Sequence, residues 1–171
     1  REGANQDQEQ PSLEAGSGEF VDRTPDLTRR IISEPGLQPH PLPETGEGEQ
    51  WFTGKYLPSL TVITPDGGHH FVKVEDWSSR TPVCTLFIRA GEQATVNLPP
   101  GEYKVKFAQG LTWYGTKHLF GKDTTCSVAD KCFEFAVKQD PAGEVYTVRT
   151  IRLIALESGN LRTHAIEIED F

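Results

Sequence analysis

Few side chains in this sequence are spaced for chemistry. His69 and His70 stand side by side just after Asp66-Gly67-Gly68 and are the first candidates for metal ligation. Neighbours on a strand point to opposite faces, so such a pair does not clasp one ion, and exposed hairpin positions are expected for both. His118 shares an irregular stretch with Asp123 and Asp130. The residue types suit a polar site, but no spacing demands one, and a simple loop histidine is the expectation. Glu75 with Asp76, or Glu167 with Glu169, would serve as acid and base only where a pocket raised one pKa. On alternating strands they read as a solvated face. There is no GxGxxG, P-loop, GxSxG, HExxH or EF-hand loop. The sequence therefore names no catalytic residue, no metal site and no cofactor, and the expectation is a protein that binds rather than an enzyme.

The cysteines leave two readings open. Cys126 and Cys132 lie six apart in TTCSVADKCF and either close a short disulfide loop, which would suit an oxidising compartment, or remain thiols. A metal site would want four ligands at closer spacing. Cys84, inside VCTLFI, reads as a small core residue.

Binding chemistry concentrates in GLTWYGTKHLFGKDTTC. Trp113, Tyr114, His118 and Phe120 fall there among Gly110, Gly115 and Gly121, in the longest irregular connection of the chain. Ordered long loops of this kind are often binding loops, and aromatic rings on them stack on sugars, peptides or a partner's side chains. The alternative is that the rings fold back and plug one end of the fold.

The elements that must carry this loop are strands. From Trp51 onward the apolar pattern has period two. LTVITP, Asp66-Gly67-Gly68 and HHFVKVEDW read as a hairpin over residues 60–75. PVCTLFIR leads through Ala90-Gly91-Glu92 to QATVNL, and Pro99-Pro100-Gly101 leads to EYKVKF. CFEFAVK runs into the turn Asp140-Pro141-Ala142-Gly143, and a last hairpin is expected between residues 147–156 and 161–171 around Ser158-Gly159-Asn160. The prediction is an all-β fold, an antiparallel β-sandwich of about eight strands over residues 51–171. Its expected core is Val62, Phe71, Val74, Leu86, Ile88, Val96, Leu98, Tyr103, Val105, Phe107, Phe133, Phe135, Val148, Ile151, Leu153 and Ile166.

Residues 1–50 differ in kind. They hold 11 acidic and 4 basic side chains out of 25 and 17 in the whole chain, so most of the net charge of -8 sits there. Rich in Glu, Gln, Gly and Pro, with few large apolar residues, they predict a disordered acidic tail or linker, in which GSGEF reads as low-complexity or linker sequence. Within it, TPDLTRRIISEPG carries a cap at Thr24, Pro25 at the first helical position and a Pro35-Gly36 stop. A short helix over 25–33 would place Leu27, Ile31 and Ile32 on one face as a recognition segment. QPHPLPETGEGEQ then reads as an extended spacer. The near-neutral remainder has no Lys/Arg cluster, so no nucleic-acid partner is expected. No apolar run reaches the roughly 20 residues needed to cross a bilayer. The chain lacks Met even at position 1, so it reads as a processed form or a fragment, and membrane attachment would come only through a missing upstream anchor.

AGEQATVNLPPGEYKVKFAQG, followed by TWYG, LFG and a Thr-Ser-Ala-Asp stretch ending in FEF, resembles an uncharacterised β domain at the C-terminal end of assorted bacterial proteins, often membrane-anchored. More loosely, LPPGEY is similar to the carboxypeptidase-regulatory and transthyretin-like sandwiches, in which an inward Tyr, here Tyr103, follows the turn. The resemblance covers about residues 60–136 and carries no catalytic residue. That family pattern has no paired cysteines at the positions of Cys126 and Cys132, so a disulfide there would be a local elaboration. What the resemblance implies is an accessory, envelope-associated bacterial module, periplasmic or on the cell envelope, with a protein partner. The alternative is a carbohydrate or cell-wall binding module that uses Trp113 and Tyr114 as a stacking platform.

Overall fold

β-Branched and aromatic residues at alternate positions, broken by Gly and Pro turns, build strands and no α-helix among the described residues. The computed structural model describes residues 36–153 and 161–171. The expected helix with Leu27, Ile31 and Ile32, the acidic stretch before residue 36 and the turn at Ser158-Gly159-Asn160 lie outside the described residues. The strands are β1 (Ser59–Ile63), β2 (His69–Asp76), β3 (Pro82–Ile88), β4 (Gln93–Asn97), β5 (Gly101–Gly110), β6 (Thr125–Ala129), β7 (Phe133–Phe135), β8 (Val137–Asp140), β9 (Gly143–Tyr146), β10 (Val148–Arg152) and β11 (Thr163–Ile166).

They form a wide sheet in the order β11-β6-β5-β2-β3, with β7 also on β5, and a narrow sheet in the order β10-β1-β4. Between the sheets lies the main core, built from residues such as Leu60 and Val62 of β1, Val72 and Val74 of β2, Leu86 and Ile88 of β3, Val105 and Phe107 of β5, and Ile151 of β10. The all-β sandwich is thus as expected, with more and shorter strands.

The pairing departs from the sequence reading in an instructive way. β1 and β2 do not form a hairpin; β1 pairs with β4 and β10, while β2 pairs with β3 and β5. The turns at Asp66-Gly67-Gly68, Ala90-Gly91-Glu92 and Pro99-Pro100-Gly101 therefore carry the chain from one sheet to the other. The last hairpin is also not formed: β10 runs parallel to β1 in the narrow sheet, and β11 lies antiparallel to β6 in the wide one. Period-two alternation says which face of a strand is buried and nothing about its neighbour, so each turn read as a hairpin could equally be a sandwich corner. Val148 is 57% exposed although it was expected in the core. Ile151 is the buried residue of β10, and a strand cannot turn positions three apart to the same face.

The segment expected as a spacer up to residue 50 is instead built onto the body. Gly46 N–H donates to the Phe87 carbonyl (2.8 Å), Phe87 N–H to Glu47 (2.7 Å), Thr85 N–H to Glu49 (2.8 Å) and Trp51 N–H to Val83 (3.0 Å). Residues 46–51 thus cover the outer edge of β3 as an antiparallel strap. Gly48 makes this possible, because a Cβ there would lie 2.0 Å from the Thr85 carbonyl oxygen. Arg89 fastens the stretch before it, donating from Nε to the Pro43 carbonyl (3.0 Å) and from Nη2 to the Leu42 carbonyl (3.2 Å) and Glu44 Oε1 (2.8 Å). The domain boundary therefore lies upstream of Trp51, which corrects the sequence reading.

Candidate functional site

The outer face of the wide sheet is apolar where an ordinary sandwich would be wet. Phe71 of β2, Phe87 of β3, Ala108 of β5 and Cys126 of β6 form it, and Trp113, Leu119 and Phe120 from the loop after β5 cover it. Leu42, Ile166 and Phe171 pack at its margin. Trp113 sits at the centre, its ring 5.3 Å from Phe71, 5.1 Å from Phe87 and 5.2 Å from Phe120 between centroids, in tilted and edge-on arrangements that suit aromatic quadrupoles.

The loop can fold back this tightly because Gly110 has no side chain; a Cβ there would lie 2.2 Å from that of Phe120. Gly115, at φ +89°, turns the chain, and Leu119 and His118 N–H donate to its carbonyl at 2.7 and 3.2 Å. Tyr114 N–H donates to the Leu119 carbonyl (2.8 Å), and the Phe120 N–H donates to Thr124 Oγ1 (3.0 Å). The stretch that leads into the strap is joined to this loop by His40 N–H donating to the Trp113 carbonyl (2.8 Å).

Between strap and loop lies a cleft of about 520 Å³. Phe71, Phe87, Trp113 and Tyr114 line its depth, and His40, Glu47, Glu49, Lys117 and His118 line it from the strap and from the loop. The structure thus brings together three of the residues singled out from the sequence, Trp113, Tyr114 and His118. Phe120 is 2% exposed and belongs to the apolar layer rather than to the cleft lining. Trp113 and Tyr114 are each 4% exposed, so neither offers an open ring face on which a sugar would stack. His118 is exposed, and Asp130 is engaged elsewhere, with Oδ1 2.5 Å from His164 Nδ1. His40, Glu47 and Glu49 were missed because they fell in the stretch read as a spacer. The signal that would have found them is CTLFI: large apolar residues at both alternating positions, Leu86 and Ile88 on one face and Phe87 on the other, mean a strand buried on both faces, which requires a second covering layer.

The remaining candidates do not line this cleft. His70 is 3% exposed, against expectation, on the inward face of β2 beside Ile88 and Gln109. Its Nδ1 donates to the Gly68 carbonyl (3.1 Å), and burial pushes its pKa down to about 4, so the ring is neutral. His69 points to the other face, where its ring stacks at 5.9 Å on Phe87 and Nδ1 accepts from Ala90 N–H (3.2 Å). Glu75 is also buried rather than solvated, held between Lys73 (3.5 Å) and Lys106 (3.0 Å). Lys106 Nζ further donates to the Asp170 carbonyl (2.6 Å) and Lys73 Nζ to that of Phe171, so this network docks the C-terminal turn onto the sheet.

Cys84, Cys126 and Cys132 are all free thiols, the second of the two readings left open for Cys126 and Cys132. Cys126 faces the outer aromatic layer, whereas Cys132 lines a cleft on the inner side of the same sheet, so the sheet itself separates them. Among the described residues no three His, Cys, Asp or Glu side chains gather closely enough to hold a metal ion. No family model, curated protein or solved structure matches the chain.

Proposed function

We propose that the chain is a non-enzymatic protein-interaction module, the accessory domain of a bacterial envelope-associated protein, and that it contacts its partner through the cleft between strap and loop. The observation that carries this reading is the make-up of that cleft: an aromatic depth, fixed from both sides by backbone hydrogen bonds, beneath side chains of both charge signs. An apolar cleft beneath a polar rim is the kind of pocket in which a partner's anchor side chain concentrates binding energy. The resemblance of the LPPGEY, TWYG and LFG segments to a bacterial accessory domain supports the envelope assignment.

The test uses two immobilised baits, the full chain and its Thr116→Arg variant, which places a long cation in the cleft while altering an exposed loop position. Both are first shown to melt alike. A protein retained by the first bait and lost by the second is the expected result. Identical retention on both, or no specific protein on either, overturns the reading.

A further inference from the structure

A second cleft, of about 960 Å³, opens on the opposite side of the wide sheet. It exists because the narrow sheet is three strands across and cannot roof the wider one; β10 is its edge, and beyond that edge the inner faces of β6 and β11 lose their cover. The side chains on those inner faces change character accordingly. Where the sheets meet, the inward residues are Val105, Phe107 and Ala129; past the edge they are Gln109, Thr125, Ser127 and Thr163. These are amide and hydroxyl groups that both donate and accept hydrogen bonds, set in rows along a rigid sheet.

Over them stands Arg149. It is in register with Leu60, as Ile151 is with Val62, and Leu60, Val62 and Ile151 are all core. Arg149 therefore occupies an inward position of the sandwich at the point where the core gives way to the cleft. Lys131 and Arg152 line the same space, and no Asp or Glu is among the described residues that line it. Neither arginine makes an ion pair among the described residues. Three cations with no carboxylate among the described lining residues, in a chain whose net charge is -8, make a local field of the opposite sign to that of the whole molecule.

We propose that this cleft binds an anionic sugar, a hydroxylated ring bearing a carboxylate or a phosphate. Arg149 anchors the anion through the two parallel N–H donors of its guanidinium. Gln109, Thr125, Ser127 and Thr163 exchange hydrogen bonds with the ring hydroxyls. The volume is at the upper end of the roughly 300–1,000 Å³ of small-molecule sites, so more than one ring fits. The site is distinct from the cleft between strap and loop and does not depend on its function.

Calorimetric titration of the full chain with digalacturonic acid, glucose 6-phosphate, neutral galactobiose, inorganic phosphate and tetraglutamate tests it. The expected result is binding of one or both anionic sugars and not of the neutral disaccharide. Arg149→Gln should weaken that binding about tenfold or more, the cost of losing a charge-assisted hydrogen-bonded pair. Ser127→Ala, which leaves the cations in place, should weaken it less. Failure of both anionic sugars to bind overturns the proposal, as does binding that Arg149→Gln leaves intact. Equal binding of inorganic phosphate would reduce the site to a general anion trap, and preferential binding of tetraglutamate would make it a peptide site; either outcome also overturns it. If Arg149 instead serves as an inward charge that keeps the β10 edge from pairing with another chain, Arg149→Gln will self-associate in sedimentation and change no titration, again against the proposal.

Discussion

His70 shows how burial turns a candidate metal ligand into a pH sensor of stability. Its folded pKa of about 4 lies below the ordinary 6.5, so the folded state resists protonation. Above pH 6.5 both states are neutral and the residue costs nothing. As the pH falls from 6.5 towards 4 the unfolded chain takes up the proton and the folded chain does not, so stability is lost across that window, by roughly 3 kcal/mol in total. Urea titrations at pH 7 and pH 4.5 should show this loss in the wild type and a clearly smaller one in His70→Gln; an equal loss in both would show that other groups carry it. The cysteines are ranked by the same physics. Burial pushes the Cys84 thiol up to about 12, so at neutral pH almost no thiolate is present to react. Native-state alkylation should label the half-buried Cys132 first and Cys84 only on unfolding, and a reducing agent should not alter the melting curve. A mass shift of 2 Da on reduction, the two hydrogens gained when a disulfide opens, would contradict the three free thiols.

The strap and the loop that follows β5 are the elements that make the second apolar layer possible. Both depend on glycines where backbone and side chain come too close for a Cβ: Gly48 against Thr85 and Gly110 against Phe120. Gly48→Ala would drive a methyl group into the Thr85 carbonyl, and detaching the strap would lower stability by roughly 1–3 kcal/mol. Thermal melts beside Gly46→Ala, where a Cβ meets open space but the backbone sits at φ +91°, separate crowding from backbone strain. An unchanged melting temperature for Gly48→Ala would mean that the strap contributes little. The hairpin β8-β9 is the opposite case. All eight of its residues are exposed, and at its base Ala136 N–H donates to Thr147 Oγ1 and Thr147 N–H to the Ala136 carbonyl, both at 3.0 Å.

At the scale of the whole molecule, the mismatch in sheet width organises everything else. Six strands against three leave one inner region unroofed, which becomes the cationic cleft, while the outer face of the same sheet is closed by strap, loop and C-terminal turn. The two clefts therefore lie on opposite faces of one sheet. Alternation along each strand determined by itself that the protein is all-β and that Tyr103 and Phe107 are core, because side-chain period is a local property of an extended backbone; it did not separate the two apolar layers, since Phe71 and Ile166, expected in the sandwich core, lie on the outer face of the wide sheet. Composition likewise picked out residues 110–122 as the irregular aromatic segment. Only the tertiary structure decided that those aromatics close an apolar face instead of displaying it, that residues 46–51 add to β3, and that β1 takes β10 as a parallel neighbour. Each of these is a choice among partners distant in the chain. Such a choice is set by how much apolar surface the complete set of strands leaves uncovered, and no window of local sequence contains that quantity.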